Sequence, residues 1–337
     1  MKRHQFLASL IPLSLSAKAI ASGLNNSGGS LKTPASLKPG DTIGITAPAG
    51  FISIDAIQPA IKKINEWGFK VKLGNTIGKK DFTFAGTDEE RRNDFQQLLD
   101  DDRVNAIMCA RGGYGLVRIV DKIDFSHFSN KPKWVIGFSD ITVLHCHINR
   151  QFHIASLHAK MCNSFPNDWL LADDEQKNTI ESIRKCITGE KMNYSASFNF
   201  NNRTGTCSGV LVGGNLSTIV NLAGTASDLD TRNKILFVED TEEYLYSIDR
   251  MFWNLKRTGK LQYLKGLIIG GFKNKKDEEG EEFGKAIEEI VKEKVKGFNY
   301  PVCFDFPVGH QKNNYALKCG MLHRLVVNNT QTTLTEK

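Results

Sequence analysis

Short apolar runs alternate with segments of helical periodicity through the first half of the chain. The apolar runs predict strands at 42–46, 69–73, 104–109 and 134–136. Between them, apolar residues recur at helical spacing, and Thr87 and Glu90 form a capping-box pattern. This periodicity predicts helices at 56–67, 87–99, 116–123 and 140–149. Strands that alternate with helices build a parallel sheet covered by helices on both faces, so we predict an α/β fold with three layers.

A mostly polar stretch at 187–207 interrupts this alternation. Within it, Phe198 and Phe200 alternate with asparagines, which allows a short edge strand. We predict a linker here, between an N-terminal domain at 38–186 and a C-terminal domain at 208–330. The second domain shows strand patterns at 210–212, 235–238, 267–269 and 302–304. Its helical patterns lie at 216–222, 245–256 and 283–296.

The first 21 residues have the pattern of a signal peptide. Lys2, Arg3 and His4 form a basic start, an apolar run follows, and Ala19 and Ala21 have the spacing of a cleavage site. The apolar run is too short to span a bilayer. There is no cysteine near the cleavage site, so the sequence gives no indication of a lipid anchor. We therefore expect export to a periplasmic location, with no membrane anchor after cleavage. Residues 3–7 resemble a twin-arginine signal with His4 in place of the second arginine, which leaves the export route open. A buried N-terminal helix in a cytoplasmic protein is the alternative. Residues 22–37 predict a flexible leader.

Composition excludes several classes of protein. A length of 337 residues predicts about two domains. The formal charge is +7, but the basic residues are scattered, so we expect no nucleic-acid partner. The seven cysteines form no CxxC pair, and no HExxH motif occurs, so we predict no metal site. Seven free thiols are unusual in an exported protein.

The sharpest chemical signal is a serine that directly follows a buried strand. The strand at 134–136 runs into Gly137-Phe138-Ser139 and then into a helix. This places the Ser139 hydroxyl at the carboxyl end of the sheet, where open α/β sheets bind ligands. The N–H of Asp140, at the helix start, is a candidate oxyanion donor. Ile141 replaces the last glycine of the G-x-S-x-G elbow, so a serine that merely caps the helix is the alternative.

A glycine-rich turn, Arg111-Gly112-Gly113-Tyr114-Gly115, follows the preceding strand. Glycines allow backbone N–H groups to approach a ligand closely. The turn matches neither a dinucleotide fingerprint nor a P-loop. A tight strand-to-helix connection without a ligand is the alternative.

A serine nucleophile needs a base and an acid that orients it. Among eight histidines, His310 is the best candidate base, because it lies in a loop directly after a strand. Glu239 leaves the buried strand at 235–238 and is the candidate acid. His158 follows a short strand near the sheet end and is a candidate substrate contact. A surface histidine is the alternative interpretation of His310.

The order of these motifs resembles one family. Arg111–Gly115, Gly137–Thr142, Gly213-Gly214-Asn215, Val238-Glu239-Asp240 and Gly309-His310 occur in the order typical of LD-carboxypeptidases. This serine peptidase family includes the microcin-immunity hydrolases. The resemblance covers about residues 36–327. It implies an N-terminal α/β domain and a smaller β-rich C-terminal domain, with the catalytic cleft between them.

The resemblance also implies site residues. Ser139 would attack the carbonyl, His310 would transfer the proton, and Glu239 would orient His310. The oxyanion hole would come from the backbone N–H groups of Asp140 and Gly113, with Gly112 as the near alternative. Residues that the resemblance places near the substrate are Tyr114, His158, Gly214 and Asn215.

The implied activity is release of a terminal D-alanine from an L-centre, L-lysine or meso-diaminopimelate, of a murein tetrapeptide. Such enzymes need no cofactor and are commonly homodimers. One departure concerns the residues after His158, where Ala159-Lys160-Met161 replaces the common Gly-Pro-Met and affects the expected specificity. A microcin-immunity-like hydrolase of peptide-nucleotide or acyl conjugates is one alternative. A non-catalytic exported peptide-binding protein is another.

Overall fold

Two β-sheets organise residues 31–337, which are the residues that the computed structural model describes. The predicted signal peptide and residues 22–30 of the predicted leader lie outside the described residues. The strands are β1 Thr42–Thr46, β2 Lys70–Leu73, β3 Ala106–Cys109, β4 Trp134–Gly137, β5 Ser156–His158, β6 Asn193–Ser197, β7 Gly205–Asn215, β8 Ile235–Thr241, β9 Gly266–Lys273, β10 Val302–Cys303, β11 Leu317–Cys319, β12 Leu322–Val327 and β13 Gln331–Glu336. The α-helices are α1 Gln58–Glu66, α2 Asp88–Asp100, α3 Ser126–Asn130, α4 Thr142–Phe152, α5 Asp174–Ile187, α6 Leu216–Asn221, α7 Leu245–Arg257 and α8 Ile287–Val295.

The first sheet has the strand order β11-β5-β4-β3-β1-β2. Strands β1 to β5 are parallel, whereas β11 pairs with β5 in the antiparallel direction. Alternate residues of these strands enter two core clusters: Ile107 and Val135 pack with α2 and α4, whereas Met108 and Ile136 pack with α1 and α5. Helices therefore cover both faces of the sheet, as the alternating pattern predicts.

The second sheet has the order β10-β9-β8-β7-β12-β13-β6. Strands β7 to β10 are parallel, and β12, β13 and β6 are antiparallel additions at the far side. Strand β6 falls inside the predicted linker, and β13 lies after residue 330, where the predicted C-terminal domain ends. The polar stretch thus contains an edge strand of the second sheet, but at 193–197, where Tyr194 and Ala196 are buried; Phe198 and Phe200, on which the prediction rested, follow the strand and are exposed.

Strand β11 alters the predicted domain boundaries. It belongs to the chain segment assigned to the second domain, yet it pairs with β5 of the first sheet through Leu317 and His158. Both core clusters also continue from the first sheet into the second. The two halves are consequently interlocked, and residues 31–337 form one compact unit.

The end of the predicted leader is held to the first sheet. Lys32 exchanges backbone hydrogen bonds with His153 and Ala155, and the N–H of Leu37 donates to the carbonyl of Ile187. The Trp134 indole also donates to the carbonyl of Ala35. Over 32–37 this anchoring contradicts the prediction of a flexible segment, because the backbone finds partners along the domain edge.

None of the helices within residues 31–337 has the length and apolar character that crossing a membrane requires.

Candidate active site

Ser139 lies at a sharp turn between β4 and α4. Its φ is 63°, in the left-handed region that a serine rarely adopts, and a single helical turn, Ser139–Ile141, leads into α4. A Cβ on Gly137 would lie 2.7 Å from Cγ1 of Ile141, so only glycine lets the chain turn so tightly. The turn presents the Ser139 side chain at the carboxyl end of the first sheet.

The glycine-rich turn lies directly against Ser139. A Cβ on Gly112 would lie 3.0 Å from Cβ and 3.2 Å from Oγ of Ser139. Gly113 has a φ of 108°, and the carbonyl of Gly112 accepts a hydrogen bond from the N–H of Gly50. The absence of a side chain at Gly112 therefore lets the backbone of this turn lie next to the hydroxyl.

A buried arginine that the sequence analysis did not single out supports this turn. The Arg91 guanidinium donates to the carbonyls of Pro48 at 2.7 Å and Gly115 at 3.1 Å and pairs with Asp88. Arg91 lies four residues before the buried Phe95, on the inner face of α2. This spacing is the sequence signal that could have identified Arg91 as a buried residue.

His310 and Glu239 are in direct contact. Nδ1 of His310 lies 2.5 Å from Oε2 of Glu239, whose side chain is fully buried. The segment before His310 runs beside β9, where the N–H of Gly271 donates to the carbonyl of Val308. Since β9 pairs with β8, the histidine reaches the carboxylate at the end of β8. Glu239 thereby holds Nδ1 as the donor and leaves Nε2 for chemistry.

The imidazole lies next to the turn that carries the serine. The rings of His310 and Phe138 pack with their centroids 4.9 Å apart, and Phe138 directly precedes Ser139. The hydrogen bonds found among residues 31–337 do not include one between the Ser139 hydroxyl and His310. Such contacts are often long before substrate binds and tighten in the complex.

A cleft of about 310 Å³ opens beside Ser139, between the two halves of the chain. The first half contributes Gly113, Tyr114, Val117, Ser139 and Asp140. The second half contributes Asn215, Ser217, Thr218, Asn221, Asp240 and Thr241. A site between the halves agrees with the predicted architecture.

Two buried carboxyl groups line this cleft. Burial raises the pKa of Asp140 to about 6 and that of Asp240 to about 6. Asp140 accepts a hydrogen bond from the N–H of Leu116, and Asp240 accepts hydrogen bonds from Ser217 and the Asn215 amide. The cleft therefore has an acidic wall.

The predicted substrate contacts divide into two groups. Tyr114 is exposed at the cleft, and Asn215 lines it, although Oδ1 of Asn215 also caps α6 by accepting from the N–H of Thr218. Gly214 instead serves close packing, because a Cβ there would lie 2.4 Å from Oγ1 of Thr142. The structure thus places Gly214 in β7 where the strand packs against α4, and not on the cleft wall.

His158 is also not at the cleft surface. Its ring is fully buried between Phe138 and Phe237, and burial holds its pKa well below the ordinary value. Neither ring nitrogen has a hydrogen-bond partner within the described residues. This position contradicts the prediction that His158 contacts substrate, because the side chain points from the end of β5 into the core.

No group of three or more histidine, cysteine, aspartate or glutamate side chains within 31–337 could hold a metal ion. The arrangement described above instead has the elements of nucleophilic catalysis. It combines a strained serine, a histidine held by a buried carboxylate and a glycine-rich turn that lies against the serine.

Comparison with known proteins agrees with this arrangement. The model of the LD-carboxypeptidase N-terminal domain matches residues 43–159, and that of the LD-carboxypeptidase C-terminal domain matches residues 208–325. A probable murein peptide carboxypeptidase of Bacillus subtilis is 33% identical over 289 residues, which cover 85% of this chain and 89% of that protein.

The structure of a muramoyltetrapeptide carboxypeptidase from Oxalobacter formigenes superposes with a TM-score of 0.78 at 26% identity, covering 88% of this chain and 98% of that one. The microcin C7 self-immunity protein MccF of Escherichia coli is 25% identical over 334 residues, covering 90% of this chain and 95% of that protein. Both matched domains, in the same order and over most of the chain, establish that this protein belongs to the LD-carboxypeptidase family.

Proposed function

We propose that this protein is a serine carboxypeptidase that removes the terminal D-alanine from murein tetrapeptides. The bond cleaved joins D-alanine to an L-centre, either L-lysine or meso-diaminopimelate. The observation that carries the proposal is the contact between His310 and buried Glu239 beside the strained turn of Ser139. The names of the Bacillus and Oxalobacter relatives support the substrate class.

In this proposal, Oγ of Ser139 attacks the carbonyl carbon of the L-centre while Nε2 of His310 takes the hydroxyl proton. Glu239 stabilises the imidazolium that forms. The N–H groups of Asp140 and Gly113, with Gly112 as the near alternative, stabilise the developing oxyanion. His310 then gives its proton to the leaving amine of D-alanine, and water hydrolyses the acyl-serine by the same steps. No step requires a cofactor.

The decisive experiment follows the products by mass spectrometry. Wild type converts purified tetrapeptide to tripeptide and free D-alanine, whereas Ser139→Ala lowers kcat by at least about 10⁴-fold because the nucleophile is lost. Ser195→Ala, on exposed β6, is the control and retains full activity. Circular dichroism checks that Ser139→Ala is folded. Retained turnover in that variant would reject Ser139 as the nucleophile.

A second candidate function follows from the similarity to the microcin immunity protein, which extends over 90% of this chain. In that case, the same serine would hydrolyse a peptide-nucleotide or other acyl conjugate. Parallel assays of a peptide-nucleotide conjugate and a murein tetrapeptide distinguish the two functions. A protein that binds tetrapeptide without cleaving it would favour the non-catalytic binding alternative.

We also propose export to the periplasm and assembly as a homodimer. The pattern of residues 1–21 supports export, and the family resemblance supports the dimer. Amino-terminal sequencing of the protein from a periplasmic fraction tests the first proposal, and light scattering tests the second. An intact amino terminus or a monomeric mass would contradict them.

A further inference from the structure

One lysine lies beside the His310–Glu239 pair. Lys160 follows β5, and its Nζ donates a hydrogen bond of 2.7 Å to the carbonyl of Gln311, the residue after His310. Nζ also lies 5.5 Å from the centroid of the Phe138 ring, the same ring that packs against His310. Lys160 is therefore on the histidine side of the nucleophile.

The positive charge of Lys160 lacks a carboxylate partner within 4.0 Å among residues 31–337. Among more deeply buried lysines, Lys260, Lys294 and Lys318 each pair with an aspartate or glutamate, whereas Lys133 donates to two backbone carbonyls. Within the described part of the chain, one of the three N–H donors of Lys160 is used, by the carbonyl of Gln311. A half-buried ammonium group with free donors is suited to an anionic ligand.

Lys160 also faces open space. A cavity of about 690 Å³ is lined by Lys160 together with Asn163, Phe165 and Gln176. Its charged lining residues are Lys160, Lys312 and Asp168, and it is separate from the cleft that contains Asp140 and Asp240. The residue after Lys160 lies close to the nucleophile. A Cβ on Gly112 would lie 3.4 Å from Cε of Met161 and 3.2 Å from Oγ of Ser139.

The chemistry of the proposed reaction places the leaving group near His310, on the side where Lys160 lies. His310 must protonate the amine of the departing D-alanine. In an α-amino acid, that nitrogen and the carboxylate carbon are separated by one Cα, or roughly 2.5 Å. The carboxylate of the leaving residue must therefore lie close to His310, and a cation that recognises it must lie there too.

We propose that Lys160 binds the terminal carboxylate of the leaving D-amino acid and so restricts the enzyme to the last residue of the peptide. This inference rests on the proposed carboxypeptidase function.

The test compares a tetrapeptide with a free terminal carboxylate and the same peptide ending in D-alaninamide. Wild type prefers the free acid by about 10- to 100-fold in kcat/KM, the range expected for one charge-assisted hydrogen bond. Lys160→Met keeps most of the length of the side chain and removes its charge. It loses that preference through a higher KM for the acid and leaves turnover of the amide within about twofold.

Two further variants serve as controls. Lys312 lines the same cavity as Lys160, but its charge is paired with Asp173. We therefore expect Lys312→Met to retain the wild-type preference for the free acid. Lys160→Arg keeps the charge and retains most of the preference for the acid. Thermal melting checks that each variant is folded.

Two results would overturn the inference about Lys160 and leave the proposed carboxypeptidase function unaffected. An equal loss on acid and amide in Lys160→Met would show that Lys160 only positions the His310 loop through Gln311. Unchanged kinetics on both substrates would show that it plays no part. Absence of D-alanine release by wild type would overturn the proposed function, and this inference with it.

Discussion

At the scale of single residues, the site combines backbone strain with buried charge. Ser139 has a left-handed backbone, which costs a non-glycine residue roughly 1–2 kcal/mol. Glu239 is fully buried, and its Oε1 has no hydrogen-bond partner within the described residues. Such features persist only where the surrounding structure enforces them, and they concentrate at functional sites. Here they fix the hydroxyl and commit the carboxylate to the histidine.

The sequence could predict which residues end the strands but not always where their side chains point. Glu239 and His310 both follow strand patterns, and the structure joins them. His158 also ends a strand, yet its ring is buried. The difference arises because the side chains of a strand alternate between its two faces, so a shift of one residue exchanges core and cleft.

The buried carboxyl of Asp140 predicts a pH dependence of stability. Burial raises its pKa from the ordinary 3.8 to about 6. Below pH 4 it is protonated in both folded and unfolded chains, whereas between about 4 and 6 only the unfolded chain readily releases the proton. Its contribution to the free energy of unfolding is therefore present at low pH and lost as pH rises through 6.

Asp140→Asn tests this effect, because an amide oxygen can still accept the hydrogen bond from Leu116. From pH 4 to 7, we expect the variant to gain about 1–3 kcal/mol relative to wild type. Urea unfolding at several pH values measures the difference, and titrations common to both proteins cancel. Parallel stability curves would contradict the prediction.

At the scale of elements, the match between sequence and structure follows the strength of the periodic signal. Strand β1 has the predicted bounds, and the capping box of Thr87 and Glu90 is present at the start of α2. The predicted helix at 116–123 is instead two 3₁₀ turns, Leu116–Arg118 and Val120–Lys122. Strand β13 escaped prediction because Gln331–Glu336 contains one large apolar residue among small polar ones.

The close contact between β8 and the His310 loop at Gly309 leads us to expect a severe effect when a methyl group is added there. A Cβ on Gly309 would lie 2.4 Å from Cβ and 2.9 Å from Oε2 of Glu239, and Gly309 has a φ of 102°. Gly309→Ala must therefore separate the loop from the strand. We expect a loss of about 2–4 kcal/mol of stability and at least about 100-fold in kcat.

Gly224→Ala is the matched control, since Gly224 also has a positive φ of 81° but a Cβ there would meet nothing within 4 Å. It should cost about 1 kcal/mol, from backbone conformation alone, and leave kcat unchanged. Urea unfolding and D-alanine release measure both variants. Similar effects of the two substitutions would exclude the predicted clash with Glu239.

At the scale of the whole molecule, the two halves share their cores as well as the site. The N–H of Asn215, at the end of β7, donates to Oγ1 of Thr142, at the start of α4. Both core clusters extend through both sheets. Sequence periodicity reports neighbours along the chain, so it could not show that β11, late in the sequence, pairs with β5 of the first sheet.

The thiols predict a further property of the whole molecule. All seven cysteines are free, and all except Cys207 are buried. Burial raises the pKa of Cys162 and of Cys319 to about 12 and that of Cys207 to about 11, so few thiolates form at pH 8. Burial thus explains how free thiols could persist in an oxidising compartment.

Titration of the native protein with an aromatic disulfide reagent should label at most Cys207, whereas unfolding in denaturant without reductant should expose seven reactive thiols. Cys207→Ser should abolish the native signal. Fewer than seven thiols in the unfolded protein isolated from the periplasm would show that disulfides form there.

The crossing of β11 has a consequence for biosynthesis. The ribosome delivers β1 to β5 first, and Leu317–Cys319 emerges only near the end of translation. Until then, β5 is a bare edge whose free N–H and C=O groups can recruit strands from other nascent chains. The first sheet is therefore complete only when almost the entire chain has been synthesised.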